Sequence, residues 1–322
     1  MPKVRGEYQV KRRISLSAAL YLTLGIGFAA CLVWRGDVCA GAVRGALEVC
    51  GKTIIPAVFP FFCAVGLILG AGGAEAAARV CGRAFARIFR VSPALCAPFL
   101  IGLISGFPAG AAAVTRVYAE GRCTKAEAER AIAFSSNAGP AYVVCGIGGM
   151  LGDLRLGAVL YAVQIVVMIA VNALFARRYP RVGADVPAPP LPRADALVTR
   201  AVKEAITPML TVCAFVLAFA PITALLRSGL EYIGAADGVI GAALSILELT
   251  NAAGHAAALP LGISLPICAF AVSFSGICVA AQISAFAADA GLSMRYYFRA
   301  KLICGAVSFF ILKMYIHFFA LM

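Results

Sequence analysis

Two stretches, Ser105-Gly106-Phe107-Pro108-Ala109-Gly110 and Ser273-Phe274-Ser275-Gly276, each interrupt an otherwise apolar run, and their surroundings follow one order. An apolar run, a Ser-Gly break, small residues, a glycine, a basic residue and a second apolar run recur. The offset is constant at 170 residues, measured from Ser105 to Ser275, from Gly121 to Gly291 and from Lys125 to Arg295. Few letters are identical, so the repeat lies in the hydropathy order. The arms 94–104 and 108–118 have eleven residues each, and as helices they reach about 16 Å, roughly half of a hydrocarbon core about 30 Å thick. Each break therefore predicts a re-entrant segment. Together they predict an all-α, polytopic integral membrane protein made of two repeated halves in inverted orientation, each with one interrupted segment.

Composition agrees with a membrane class. With 62% hydrophobic and 13% charged residues and a mean hydropathy of +0.93, the chain has too little polar surface to cover a soluble globule. The net charge of +13 sits in short segments between apolar runs, where positive-inside topology and anionic headgroups account for it, and no nucleic-acid partner is expected. Twelve cysteines are scattered singly without metal-ligand spacing, so neither metal nor cofactor is expected. Cys39 and Cys50 share one expected outer loop, where pairing is open.

Four sections follow. Residues 1–50 hold a signal-anchor helix, from Ile14 to Val33 behind Lys11-Arg12-Arg13, and an outer loop. Residues 51–176 are the first repeat, 177–200 a Pro/Arg-rich cytoplasmic linker and 201–322 the second repeat. Continuous spans are expected at 54–73, 131–150, 156–176, 205–226, 239–258 and 301–321. If both breaks fold back, the basic residues of the N-terminus (5), the 74–92 segment (4) and 177–203 (6) share one side, against 3, 1 and 1 in the other loops. Arg295, Arg299 and Lys301 join the basic side only if 239–258 also spans and the second hairpin enters from the same face. Arg79, Arg83, Arg87 and Arg90 recur at helical spacing, which predicts an amphipathic interfacial helix over 74–90. Thr124 and Glu127 form a capping box.

Polar residues at membrane depth are the candidate binding groups, because unpaired polar atoms cost several kcal/mol in hydrocarbon and must face a cavity or one another. They are Ser105, Gly106, Pro108, Ser136 and Asn137 in the first half, and Asn251, Ser275, Gly276 and Gln282 in the second. The alternative is that the small polar residues join helices. Pro108 and Pro140 are expected to free carbonyls one turn back, and the half-helix after Gly106 to aim N–H groups at an anion. Glu248, embedded in an apolar run, either pairs, takes up a coupling proton or binds a coupling cation; the other reading is a helix-end residue. His255 is read as a helix contact. A duplicated, interrupted apolar segment points to a secondary transporter. No enzyme motif occurs.

Ser105-Gly-Phe-Pro-Ala-Gly110, Thr124-Lys-Ala-Glu-Ala-Glu-Arg130, Phe134-Ser-Ser-Asn-Ala-Gly-Pro140, Glu248-Leu-Thr-Asn-Ala-Ala-Gly254 and Ser275-Gly276 with Gln282 resemble the YlbJ family of sporulation integral membrane proteins, over about residues 50 to 320. The resemblance implies paired nucleoside-recognition "Gate" domains and a multi-pass protein of the cell membrane, in the mother-cell or outer forespore membrane. It also implies movement of dipicolinate into the forespore. A nucleoside or ion carrier and a non-transporting scaffold for spore formation are the alternatives, and an oligomer is open. Expected partners are a small solute, the bilayer and a coupling proton or cation.

Overall fold

The computed structural model describes residues 16–180 and 196–319; Lys11-Arg12-Arg13 and most of the linker lie outside them. The described residues are helical, in the order α1 Leu16–Trp34, α2 Gly36–Val49, α3 Ile55–Gly70, α4 Gly73–Phe89, α5 Cys96–Ser105, α6 Phe107–Ala119, α7 Lys125–Ser135, α8 Gly148–Met150, α9 Leu154–Ala176, α10 Leu197–Tyr232, α11 Asp237–Leu247, α12 Leu249–Ala257, α13 Leu261–Phe274, α14 Gly276–Asp289 and α15 Arg295–Phe319. Wide π-helical turns join α2 to α3 at Cys50–Ile54 and lead into α8 at Ala141–Ile147. Among the described residues four helical stretches are long and apolar enough to cross a membrane, 154–176, 197–232, 261–289 and 295–318, or up to six if each of two bent pairs is one span. The chain is an all-α, multi-pass membrane protein.

Local chemistry explains most helix ends. The Thr124 hydroxyl accepts from the Glu127 amide and the Glu127 carboxylate accepts from the Thr124 amide, the reciprocal box expected from the sequence. The same carboxylate also accepts from the Ser92 amide at 2.7 Å, which ties the start of α5 to that of α7. Asp153 caps α9 by accepting from the Arg155 amide. The amphipathic helix expected over 74–90 is α4. Its Phe85 and Phe89 are buried against Phe99 and Phe134 while Arg79, Arg83 and Arg87 stay exposed. The outer loop expected over 34–50 is instead helix α2, bent by 98° from α1. There Cys39 and Cys50 are both free.

At Gly106 the chain turns back. The residue has φ 93° and ψ −168°, a region essentially restricted to glycine, and it lets α6 return along α5 until Gly110 lies against Gly102. At Ser275 and Gly276 the chain does not turn back. α13 and α14 pack against other helices and not along each other, and 261–289 forms one interrupted 29-residue span. The re-entrant segment of the second half is α11–α12, which pack along each other where the sequence predicts a continuous span at 239–258. Its tip is Glu248, in extended backbone at φ −150°. Its two outer ends meet again where the His255 ring reaches the Asp237 carbonyl at 3.1 Å.

The halves correspond on this basis. Hairpin α5–α6 is followed by a discontinuous span, α7 with its non-helical break at 136–139 and α8, and then by α9. Hairpin α11–α12 is followed by the discontinuous span α13–α14 and then by α15. The offsets are 142 from Gly106 to Glu248, 140 from Ser135 to Ser275 and 141 from Leu154 to Arg295, not the 170 of the hydropathy match. That match paired a hairpin with a broken span, because a Ser-Gly interruption has the same letters whichever way the chain leaves it.

The two hairpins enter from opposite faces. Beside the base of α5–α6, Arg90 donates to the Arg177 and Tyr179 carbonyls at 2.9 and 2.7 Å. The Ser293 amide donates to Glu129 at 2.9 Å, which brings the α14–α15 turn to that same face. Arg295 therefore joins the basic face because 261–289 crosses, and not because 239–258 does. The base of α11–α12 lies at the other face, where Lys313 near the end of α15 approaches the Gly262 carbonyl at 3.4 Å. One apolar core surrounds the first hairpin, with α4, α7 and α14, and a second surrounds the second hairpin, with α9 and α13. α2, α3 and α10 form a third, flanking layer. Within 261–289, 83% of the most apolar window is buried, against 28–33% in the other three spans, so α13–α14 is the central element.

Candidate functional site

Each hairpin tip rests on a break. Gly106 faces the Gly139 amide, and a Cβ added at Gly106 would lie 3.3 Å from that nitrogen. Gly276, with φ 76°, faces the tip of the other hairpin; a Cβ there would lie 3.0 Å from the Leu247 carbonyl oxygen. Between the tips is a partly open cavity of about 90 Å³. Ser105, Gly106, Phe107 and Pro108 line it from the first hairpin, Glu248, Leu249 and Thr250 from the second, Gly139 and Tyr142 from the first break, and Gln282 from α14. Phe61, Phe62, Val212 and Val216 of the flanking layer complete the wall.

Five candidates named from the sequence thus meet at one place: Ser105, Gly106, Pro108, Glu248 and Gln282. Glu248 is the sole formally charged side chain among the lining residues. It is 2% exposed, and its carboxylate accepts from the Thr250 amide at 2.8 Å and the Asn251 amide at 2.7 Å. The carboxyl group sits at the N-terminus of α12, where free amides and the helix dipole favour its ionised form against the cost of burial. Both open readings of this residue therefore have structural content: it is a helix-end residue, and it faces a cavity at depth. The Ser105 hydroxyl is buried at the cavity wall without a hydrogen-bond partner. Pro108 occupies the first turn of α6, where an N–H would be unpaired in any case, so it starts a helix and frees no carbonyl.

The remaining candidates lie elsewhere. Asn137 is fully buried, donates to the Phe134 carbonyl at 2.7 Å and accepts from Lys301 at 3.2 Å. Ser136, its neighbour, is buried with an unpartnered hydroxyl. The Ala138 carbonyl, freed by the same break, is taken by Gln164 of α9 at 3.1 Å. Asn251 reaches away to Thr223 of α10 at 3.2 Å and joins two helices. Ser275 and Gly276 form the α13–α14 break; Ser275 adopts φ 79°, a conformation that costs a non-glycine residue about 1–3 kcal/mol.

Two residues, Tyr142 and Lys301, are not among the candidates that the sequence offers, whereas Thr250 is one of its polar residues at membrane depth. Tyr142 and Thr250 line the cavity and hydrogen bond to each other at 3.1 Å, joining the first break to the second hairpin. Tyr142 reads as one more aromatic in an apolar run, and no local signal marks it. Lys301 reads in the sequence as one of the face charges, yet it is 2% exposed. A lysine six residues inside an apolar helix is a signal that was there to use. No family model, no curated protein and no solved structure matches the chain.

Proposed function

We propose that the chain is a membrane transporter of a small polar or anionic solute, bound where the two hairpin tips meet. The observation that carries this reading is that hairpins entering from opposite faces converge on one partly open cavity lined by a single carboxylate. Such an arrangement has a gate on each side of a central site, which alternating access requires.

Glu248 is the coupling residue in this scheme. While ionised it holds the α12 amides and repels anions. Proton uptake removes the charge, admits an anionic solute and turns one oxygen from acceptor to donor, which loosens the start of α12 and with it the tip against Gly276. Proton and solute then move together. The cavity is smaller than the roughly 150 Å³ that accommodates benzene, so the tips must part for an aromatic diacid such as dipicolinate, the solute implied by the resemblance to sporulation proteins. A nucleoside or an ion would need the same opening.

Purified protein in proteoliposomes tests this. Uptake of dipicolinate, of nucleosides and of ferrous ion is measured with and without an imposed pH gradient. Accumulation of one solute, driven by the gradient in wild type and not in Glu248→Gln, is expected. Folded protein that moves none of the three under any gradient would favour the scaffold reading.

A further inference from the structure

A second polar site lies away from the cavity, where α15 crosses the break that follows α7. Lys301 places its amino group there at 2% exposure. Among the described residues its ammonium forms no ion pair; its hydrogen bond goes to a neutral amide oxygen, that of Asn137. One turn earlier on α15, the Tyr297 ring centroid lies 6.0 Å from the ammonium. Tyr297 aims its hydroxyl toward Ser275, without a well-formed hydrogen bond. The hydroxyls of Ser135 and Ser136, next to Asn137 in the chain, are also buried and unpartnered.

Each feature alone is unfavourable. A buried charge without a counter-charge is strongly destabilising, and every unpaired buried hydroxyl adds its own desolvation cost. The groups share one need, a hydrogen-bond acceptor, and a negatively charged one would also neutralise Lys301. The ammonium has three protons to donate, of which Asn137 takes one, and each hydroxyl has one.

We propose that Lys301, Asn137, Ser135, Ser136 and Tyr297 form a binding site for a small monovalent anion, either a free halide or a carboxylate group. A single bound anion neutralises Lys301 and accepts from the hydroxyls that lack partners. The site lies where α15 meets both discontinuous spans, through Asn137 on one side and Ser275 on the other. Occupancy therefore braces the breaks against each other. None of these residues lines the cavity between the tips, and binding is read without transport, so the proposal stands or falls separately from the transport reading.

The test uses the full-length protein in detergent at constant ionic strength, with the bulky sulfonate of sodium HEPES replaced by chloride in one arm, acetate in a second and dipicolinate in a third. The melting temperature of wild type is expected to rise saturably. A response to chloride identifies a free halide as sufficient, and a response to the carboxylates alone identifies the solute's carboxylate. Lys301→Gln should abolish the rise and Lys301→Arg should keep it. Ser136→Ala should raise the half-saturating concentration about tenfold, the loss expected for one hydrogen bond to a charged group. If Lys301→Gln does not fold, the Arg and Ala variants carry the comparison. An equal rise in Lys301→Gln, an unaltered half-saturation in Ser136→Ala, or no saturable rise with any anion in wild type overturns the proposal.

Discussion

Gly102→Ala adds one methyl group at the tightest of the glycine contacts among the described residues. A Cβ at residue 102 would lie 1.6 Å from the Ser135 carbonyl oxygen and 2.5 Å from its carbon. Real contacts of this kind do not fall below 3.0 Å, so hairpin and helix must separate by about 1.4 Å, the difference between 3.0 and 1.6 Å. The obstacle is backbone, and no rotamer change relieves it. On the other arm, a Cβ at Gly110 would lie 1.7 Å from the same oxygen, so the hairpin cannot rock away from one contact without closing the other. Overpacking typically costs 1–3 kcal/mol, and a backbone obstacle places this variant near the upper end, about 3 kcal/mol. Domains of 150–250 residues lose roughly 2–4 °C per kcal/mol, and longer chains less, so the melting temperature should drop by about 5 °C. Melting can be followed through the reactivity of buried thiols such as Cys96, Cys268 and Cys304. Gly254→Ala is the control: it lies inside α12 with nothing within 4 Å of its added Cβ, and the better helix propensity of alanine should leave stability equal or up to about 1 kcal/mol higher. A Gly102→Ala protein that melts within about 1 °C of wild type would refute the packing of the first hairpin on the end of α7.

Gly106→Leu and Gly276→Leu should each block transport in proteoliposomes, since both glycines have positive φ and each faces backbone of the opposing break or tip; Ala162→Leu, at an exposed position of α9, should transport as wild type. Cysteines placed at Tyr179 and Ser293 should be labelled from one side of the membrane, and cysteines at Asp153 and Leu259 from the other, after native thiols are removed. Labelling of Ser293→Cys together with Leu259→Cys would contradict a crossing by 261–289. Phe134→Ala, which empties the centre of the four-ring cluster formed with Phe85, Phe89 and Phe99, should cost about 3–5 kcal/mol, and a loss below about 1 kcal/mol in denaturant titration would place that cluster outside the core.

Features set by near neighbours were legible in the sequence. Residues a few positions apart determine the capping box at Thr124, the amphipathic face of α4 and the interruption at Gly106, and a helix responds to them wherever it lies. The membrane class followed from composition, because too little polar surface leaves no soluble alternative. What the chain does after an interruption was not legible. Gly106 and Gly276 both follow serine and both adopt positive φ, yet one reverses the chain and the other continues it, since direction depends on which surface the next helix can bury. α6 returns because Gly102 and Gly110 close on Ser135; α14 goes on because the tip at Leu247 and Glu248 occupies the space beside Gly276. Buried charges follow the same rule. Glu248 found its partners two and three residues away and was visible as a candidate. Lys301 found its partner 164 residues away, at Asn137, and only the folded chain brings the two together.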